Sequence, residues 1–88
     1  MHFVYLLENL KDKGWYIGYT TNIKRRILEH NSKIGGKYTS KKTEWKIIYF
    51  ECYLNKIDAL GRETFLKSGS GHRFIKKQLK NYLSNKPT

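Results

Sequence analysis

At 88 residues, 39% of them hydrophobic, the chain is long enough for one modest core and too short for a catalytic module with a separate recognition domain. Eighteen Lys and Arg against seven Asp and Glu give a formal net charge of +11, and no acidic residue follows Glu63. That balance points to a polyanionic partner, and the longest apolar run, Phe3 to Leu7, falls far short of the roughly 18 residues of a membrane span. Two Trp, seven Tyr and four Phe accompany the charge, which favours nucleic acid over a lipid surface. The lone Cys52 lies in a strand-like run, where it reads as a small core residue; no internal disulfide can form, and a reducing compartment follows. With no signal-peptide pattern, the expected location is cytoplasmic.

Phe3 to Leu7 is β-branched and aromatic, and the polar segment Glu8 to Gly14 follows it, so a strand enters a turn. Trp15 to Tyr19 is a second strand, with an antiparallel hairpin as the default connection. Pairing Leu7 with Gly14 sets Tyr5 opposite Tyr16 with both hydroxyls on one face, whereas a slip of one residue would part them. Gly18 reads as a turn residue leading to Asn22, the N-cap of a helix that runs to about Ser32 or Ile34 and stops at Gly35-Gly36. On that helix Ile23, Ile27 and Ile34 form one stripe, with Arg26 and His30 on its border and Arg25 within i,i+4 reach of Glu29.

Gly35 to Thr43 is a polar loop carrying Lys37, Tyr38, Lys41 and Lys42. Trp45 to Leu54 has Ile47, Tyr49 and Tyr53 on one side and Ile48, Phe50, Cys52 and Leu54 on the other; two apolar faces predict a central, doubly covered strand. Asn55 caps a helix to about Lys67 that turns Ile57, Leu60 and Phe65 inward. After Ser68-Gly69-Ser70-Gly71, Ser70 caps a last helix to Leu83, with Phe74, Ile75, Leu79, Tyr82 and Leu83 on one side and Arg73, Lys76, Lys77 and Lys80 on the other. The expected class is α/β in the α+β sense: one small domain over residues 1–83 and a polar tail over 84–88, with a three-stranded antiparallel sheet flanked by helices in the order β-β-α-β-α-α.

No zinc-type Cys/His spacing, Walker loop or carboxylate pair is present, and no nucleophile–base–orienter set stands out. What remains is Tyr5, Tyr16, Arg26, His30 and Glu63. Phosphodiester hydrolysis needs a group to activate water, a cation to neutralise the phosphate and a means of stabilising the leaving oxygen. A tyrosine or histidine suits the first task and an arginine the second. A carboxylate holding a magnesium-class cation serves the second and third.

Phe3-Val4-Tyr5, then Tyr16-Ile17-Gly18, then Thr20 and the segment to Arg26, with Glu63 on a later helix, resembles the signature of the GIY-YIG endonuclease superfamily. The likeness covers residues 2–82 and is greatest to small stand-alone bacterial members related to the N-terminal nuclease module of the excinuclease C protein. Phe3 and Val4 depart from the name motif, whose first two residues are Gly and Ile. The resemblance implies that Tyr5 is the general base or positions water, and that Tyr16 supplies a second hydroxyl. It further implies that Gly18 turns the backbone beneath the site, Arg26 contacts the scissile phosphate, His30 assists proton transfer and Glu63 holds one divalent metal, Mg2+ or Mn2+.

The resulting expectation is a metal-dependent DNA endonuclease, selective for structure rather than sequence, acting as a monomer or weak homodimer. Lys37, Lys41, Lys42, Arg73, Lys76, Lys77 and Lys80 are its expected contacts to the nucleic-acid backbone. Two other readings stand beside it: a non-catalytic basic module binding DNA or structured RNA, and a nuclease component whose protein partner supplies recognition.

Overall fold

In the computed structural model, which describes residues 1–32 and 44–84, the chain runs β1 (His2–Asn9), β2 (Trp15–Thr20), α1 (Ile23–Asn31), β3 (Trp45–Tyr53), α2 (Lys56–Lys67), α3 (Gly69–Gln78) and α4 (Lys80–Ser84). The strands form one antiparallel sheet ordered β2-β1-β3, so the expected class is the one adopted. The last predicted helix is divided at Leu79 into α3 and α4. Gly35-Gly36, the loop with Lys37, Lys41 and Lys42, and the tail beyond Ser84 lie outside the described residues.

The middle of the sheet belongs to β1 and not, as expected, to β3. Every residue from Val4 to Asn9 is buried, whereas β3 is half-buried or exposed along most of its length. The cause is topological. The tight hairpin puts β2 on one side of β1, and the long connection through α1 returns β3 to the other, so β3 ends as an apolar edge. Cys52 is accordingly exposed and is not a core residue.

The hairpin closes between Asn9 and Gly14, where the Asn9 N–H donates to the Gly14 carbonyl at 2.8 Å. Asn9 Oδ1 accepts from the backbone N–H groups of Lys11 and Asp12, and Lys13 takes the left-handed conformation at φ 63°. The register is therefore Leu7 with Tyr16 and Tyr5 with Gly18, two residues from the expected one. An even slip preserves side-chain facing, and Tyr5 and Tyr16 remain on one face. In β3 a bulge between the partners of Leu6 and Leu7 breaks the strict alternation. Ile47 consequently shares a face with Phe50, while Ile48 joins the core beneath the other face.

Both faces of the sheet carry core. Val4, Leu6 and Ile17 pack with Ala59, Leu66 and Ile75 from α2 and α3, and Tyr5, Leu7 and Trp45 pack with Tyr16, Ile27 and Ile47 beneath α1. α2 is rotated from its expected setting: Ala59 and Leu66 are its buried residues, and Ile57 is 73% exposed. The rotation follows from a clamp that the sequence did not announce. Arg62 donates from Nε and Nη2 to the two Glu51 carboxylate oxygens at 2.9 and 3.0 Å, which Tyr49 and Tyr53 also engage at 2.5 and 2.6 Å. Its guanidinium lies against the rings of Phe65 and Phe74, which turns Phe65 away from the core. Burial opposes ionisation of Glu51, but Arg62 and the two hydroxyls outweigh it and hold the carboxyl below its usual range.

α3 begins one residue after the Ser68 cap, whose Oγ accepts from the Gly71 N–H at 3.1 Å; the expected cap, Ser70, instead accepts from Arg73. Glycine at 71 is required by close approach, since a Cβ there would lie 2.0 Å from the Phe65 carbonyl oxygen and 2.5 Å from Leu66 Cα. Both obstacles are backbone and cannot swing aside. Gly71→Ala is expected to destabilise the protein by about 2–3 kcal/mol in denaturant unfolding, while Gly61→Ala, with nothing within 4 Å of its Cβ, is expected to leave stability unchanged or raised.

Candidate active site

The cluster is assembled where α1 packs on the β1–β2 hairpin. The cap that starts the helix is local: the Asn22 N–H donates to Thr20 Oγ1 at 3.1 Å, and Asn22 Oδ1 accepts from the Arg25 N–H at 3.0 Å. Its far end is tertiary, with Asn31 bonding the Trp45 backbone in both directions at 3.0 and 2.6 Å. Pinned at both ends, α1 directs Arg26 and His30, one turn apart, at the same tyrosine.

Tyr5 occupies the centre. Its hydroxyl lies 3.0 Å from His30 Nε2 and accepts from Arg26 Nε at 3.4 Å. The Tyr16 ring meets His30 edge-on at 4.9 Å between centroids, and Tyr5 lies 6.3 Å from Tyr16. Arg26 is steadied in turn by Glu29, to which Nη1 donates at 2.9 Å, closer than the 3.7 Å approach of Arg25 to the same carboxylate.

Gly18 does not make the expected turn. It lies inside β2 opposite Tyr5, and no described glycine has a positive φ. Its role is spatial: a Cβ at position 18 would stand 2.5 Å from the Tyr5 hydroxyl oxygen and 3.0 Å from the Tyr16 ring. The bare backbone is the floor on which the Tyr5 ring lies.

Burial shapes the protonation states. It pushes the Tyr5 phenol up to about 12, opposed by the hydrogen bond from Arg26 and reinforced by the neighbouring charge of Glu63. It drives His30 down to about 4, aided by the positive charge of Arg26. The hydrogen bonds to Tyr5 and Glu29 keep Arg26 charged at all accessible pH. The centre thus holds a neutral phenol, a neutral imidazole and a fixed guanidinium at neutral pH.

Glu63 lies on α2, and its negative charge adds a small part to the upward push on the Tyr5 phenol. Its side chain is 19% exposed and pairs with Lys67 at 3.0 Å. Among the described residues no group of three His, Cys, Asp or Glu side chains could enclose a metal ion. One carboxylate is still enough for a cation that retains its water shell and takes phosphate oxygens as ligands, so the residues fit a hydrated divalent ion and not an all-protein cage.

Residues 1–82 match the model of the GIY-YIG catalytic domain. The chain belongs to the GIY-YIG family. Several of its relatives carry the name UPF0213 protein: that of Haloquadratum walsbyi is 43% identical over 67 residues, 76% of this chain and 74% of the relative. That of Staphylococcus haemolyticus is 37% identical over 75 residues, 85% and 90% of the two chains. The solution NMR structure of a UPF0213 protein from Bacillus halodurans is similar with a TM-score of 0.53 at 37% identity, covering 92% of this chain and 83% of that one. The GIY-YIG family is a nuclease family that acts on nucleic acids and generally depends on divalent metal. No helix among the described residues is long and apolar enough to cross a membrane.

Within this GIY-YIG chain, Tyr5, Tyr16, Arg26 and His30 meet at one point, while Glu63 makes its ion pair with Lys67 on α2. Arg73, Lys76, Lys77 and Lys80 are exposed on α3 and at the start of α4. Glu29 was missed as the partner that orients Arg26, although the i,i+3 spacing carried that signal. His2 bonds away from the cluster, its Nδ1 2.7 Å from the Tyr19 hydroxyl on the opposite face of the sheet.

Because His30 has a lower pKa folded than unfolded, the unfolded chain binds the proton first as pH falls. Its contribution to stability is complete above about pH 6.5 and is lost between there and about pH 4. The difference in unfolding free energy between wild type and His30→Asn is expected to change by up to roughly 3 kcal/mol across that window. The His30 imidazole resonances should stay in the neutral form down to about pH 4 in an NMR titration.

Proposed function

We propose that the protein is a metal-dependent DNA endonuclease that hydrolyses phosphodiester bonds and selects its substrate by structure. The observation that carries this reading is the Tyr5 hydroxyl, held between a permanent donor, Arg26 Nε, and a neutral imidazole nitrogen, His30 Nε2. Arg26 occupies one lone pair of the phenol oxygen, and in the tautomer that carries the imidazole proton on Nδ1 the phenolic hydrogen is directed at His30 Nε2. With its pKa near 12, Tyr5 does not act as a free phenolate. It acts as a relay: the attacking water gives a proton to Tyr5 Oη as Tyr5 passes its own to His30 Nε2. The hydroxide so formed adds to phosphorus as the P–O bond to the leaving oxygen breaks. That oxygen takes a proton from solvent, and His30 returns its proton to water through Tyr5 on product release. The phosphate brings negative charge beside His30 and raises its basicity when the proton must be held.

Arg26 has five N–H donors, of which Nε serves Tyr5 and one on Nη1 serves Glu29; the others are offered to the phosphate oxygens, where charge grows in the transition state. Tyr16 packs against His30 and fixes its ring. Glu63 would hold the divalent cation, Mg2+ or Mn2+, once Lys67 swings out toward solvent. That cation supplies charge neutralisation to the phosphate and the leaving oxygen. Arg73, Lys76, Lys77 and Lys80 supply contacts to the nucleic-acid backbone that hold the duplex portions of a substrate without reading sequence.

The Glu63–Lys67 ion pair favours one other reading, in which the same surface binds nucleic acid without cutting it. Cleavage of labelled linear, flapped and branched DNA in Mg2+ or Mn2+ separates the two. Glu63→Ala is expected to abolish cleavage, and Arg26→Ala to lower its rate about 100- to 1000-fold, with both folds intact by circular dichroism. Salt-sensitive binding that ignores the metal and leaves every substrate whole would establish the second reading in place of the first.

A further inference from the structure

Among the described residues, α1 leaves one corner of the sheet uncovered. The helix starts beside Thr20 at one end of the β2 edge and finishes against Trp45 at the start of β3, so it covers the sheet diagonally. The opposite corner, where β1 begins and β3 ends, carries Phe3, Phe50 and Cys52 on the same face as Tyr5. Phe50 is 54% exposed, Cys52 is exposed and Phe3 is half-buried. The two phenyl rings are tilted by 59° with centroids 6.2 Å apart.

This surface adjoins the Tyr5 centre. Phe50 is the direct cross-strand partner of Tyr5, and such neighbours stand about 5 Å apart at Cβ. Phe3 lies one pleat further along β1, at the position where the GIY tripeptide has glycine, so the aromatic corner is not part of the motif. Exposed phenyl rings on the same face as Tyr5 and one strand from it, on a chain of net charge +11, suit a ligand that is both anionic and flat-faced.

We infer that Phe50, backed by Phe3, is a stacking platform for an unpaired nucleobase adjoining the phosphate held at Tyr5 and Arg26. The substrate class is then DNA that is single-stranded or locally unpaired at the point of cleavage. The identity of the phosphate site rests on the nuclease reading above. Bases inside a duplex have both faces covered by their neighbours and cannot lie on a side-chain ring, whereas a splayed base can. Every base has such a face, so the platform selects structure and is indifferent to sequence. The edge of β3, along Ile47 to Phe50, would also accommodate a peptide strand, but the charge of the chain and the pairing of Phe50 with Tyr5 favour nucleic acid.

Cys52, the single cysteine and the cross-strand partner of Phe3, makes the test direct. Wild-type protein in EDTA is alkylated with N-ethylmaleimide, alone and saturated with either a single-stranded oligonucleotide or the same sequence as duplex. The single strand is expected to slow alkylation of Cys52 about fivefold or more, and the duplex less than about twofold. Phe50→Thr, which suits an edge strand, is expected to weaken single-strand affinity about tenfold with duplex affinity nearly unchanged, and Phe50→Trp to restore it. Equal alkylation with and without bound single strand would overturn the inference. So would undiminished single-strand binding by Phe50→Thr, or a change in sedimentation with DNA binding intact, which would assign the corner to a protein contact. Cleavage by wild type in Mg2+ or Mn2+ is scored separately, so the nuclease reading and the platform fail independently.

Discussion

The contact on which the rest depends is the one the Tyr5 hydroxyl makes with His30 Nε2 and Arg26 Nε. It joins the first strand to the first helix inside a core, and each partner is there because something else permits it. Gly18 leaves the space in which the ring lies. The helix is held at Asn22 by its cap and at Asn31 by β3, so Arg26 and His30 cannot turn away from the sheet. A neutral hydroxyl and a neutral imidazole are tolerable at this depth, where an unpaired ion would be costly.

The same burial sets the chemistry that the centre can perform. It raises the phenol and lowers the imidazole, so neither ionises by itself near neutral pH. Proton transfer through such a pair needs charge to arrive from outside, and a phosphodiester with its cation would bring it. In the proposed reaction the protein holds a dry, poised relay and the substrate supplies the field that turns it on.

The opposite face of the sheet does a different task with similar residue types. Glu51 and Arg62 also form a charged pair joined by tyrosine hydroxyls, but there the carboxylate is fully engaged and the guanidinium is enclosed by Phe65 and Phe74. That arrangement locks α2 onto β3. With α2 fixed, the backbone that carries Glu63 is fixed as well, so a structural ion pair on one face helps to set the position of the proposed metal ligand.

Local signals in the sequence determined the strand and helix order, the Asn22 and Asn55 caps and the amphipathic face of the last helical segment, because periodicity and capping act within a few residues. They also placed Tyr5 and Tyr16 on one face, since parity survives a two-residue error in register. The middle strand, the bulge in β3, the exposure of Cys52 and the rotation of α2 were decided only by tertiary structure. Each depends on which side of β1 the third strand returns to, and on the Glu51–Arg62 clamp between residues eleven apart on different elements. Gly18 shows the division most plainly. Its identity was legible as part of a motif, but its purpose is the volume it yields to a side chain from another strand, and a linear pattern does not record that.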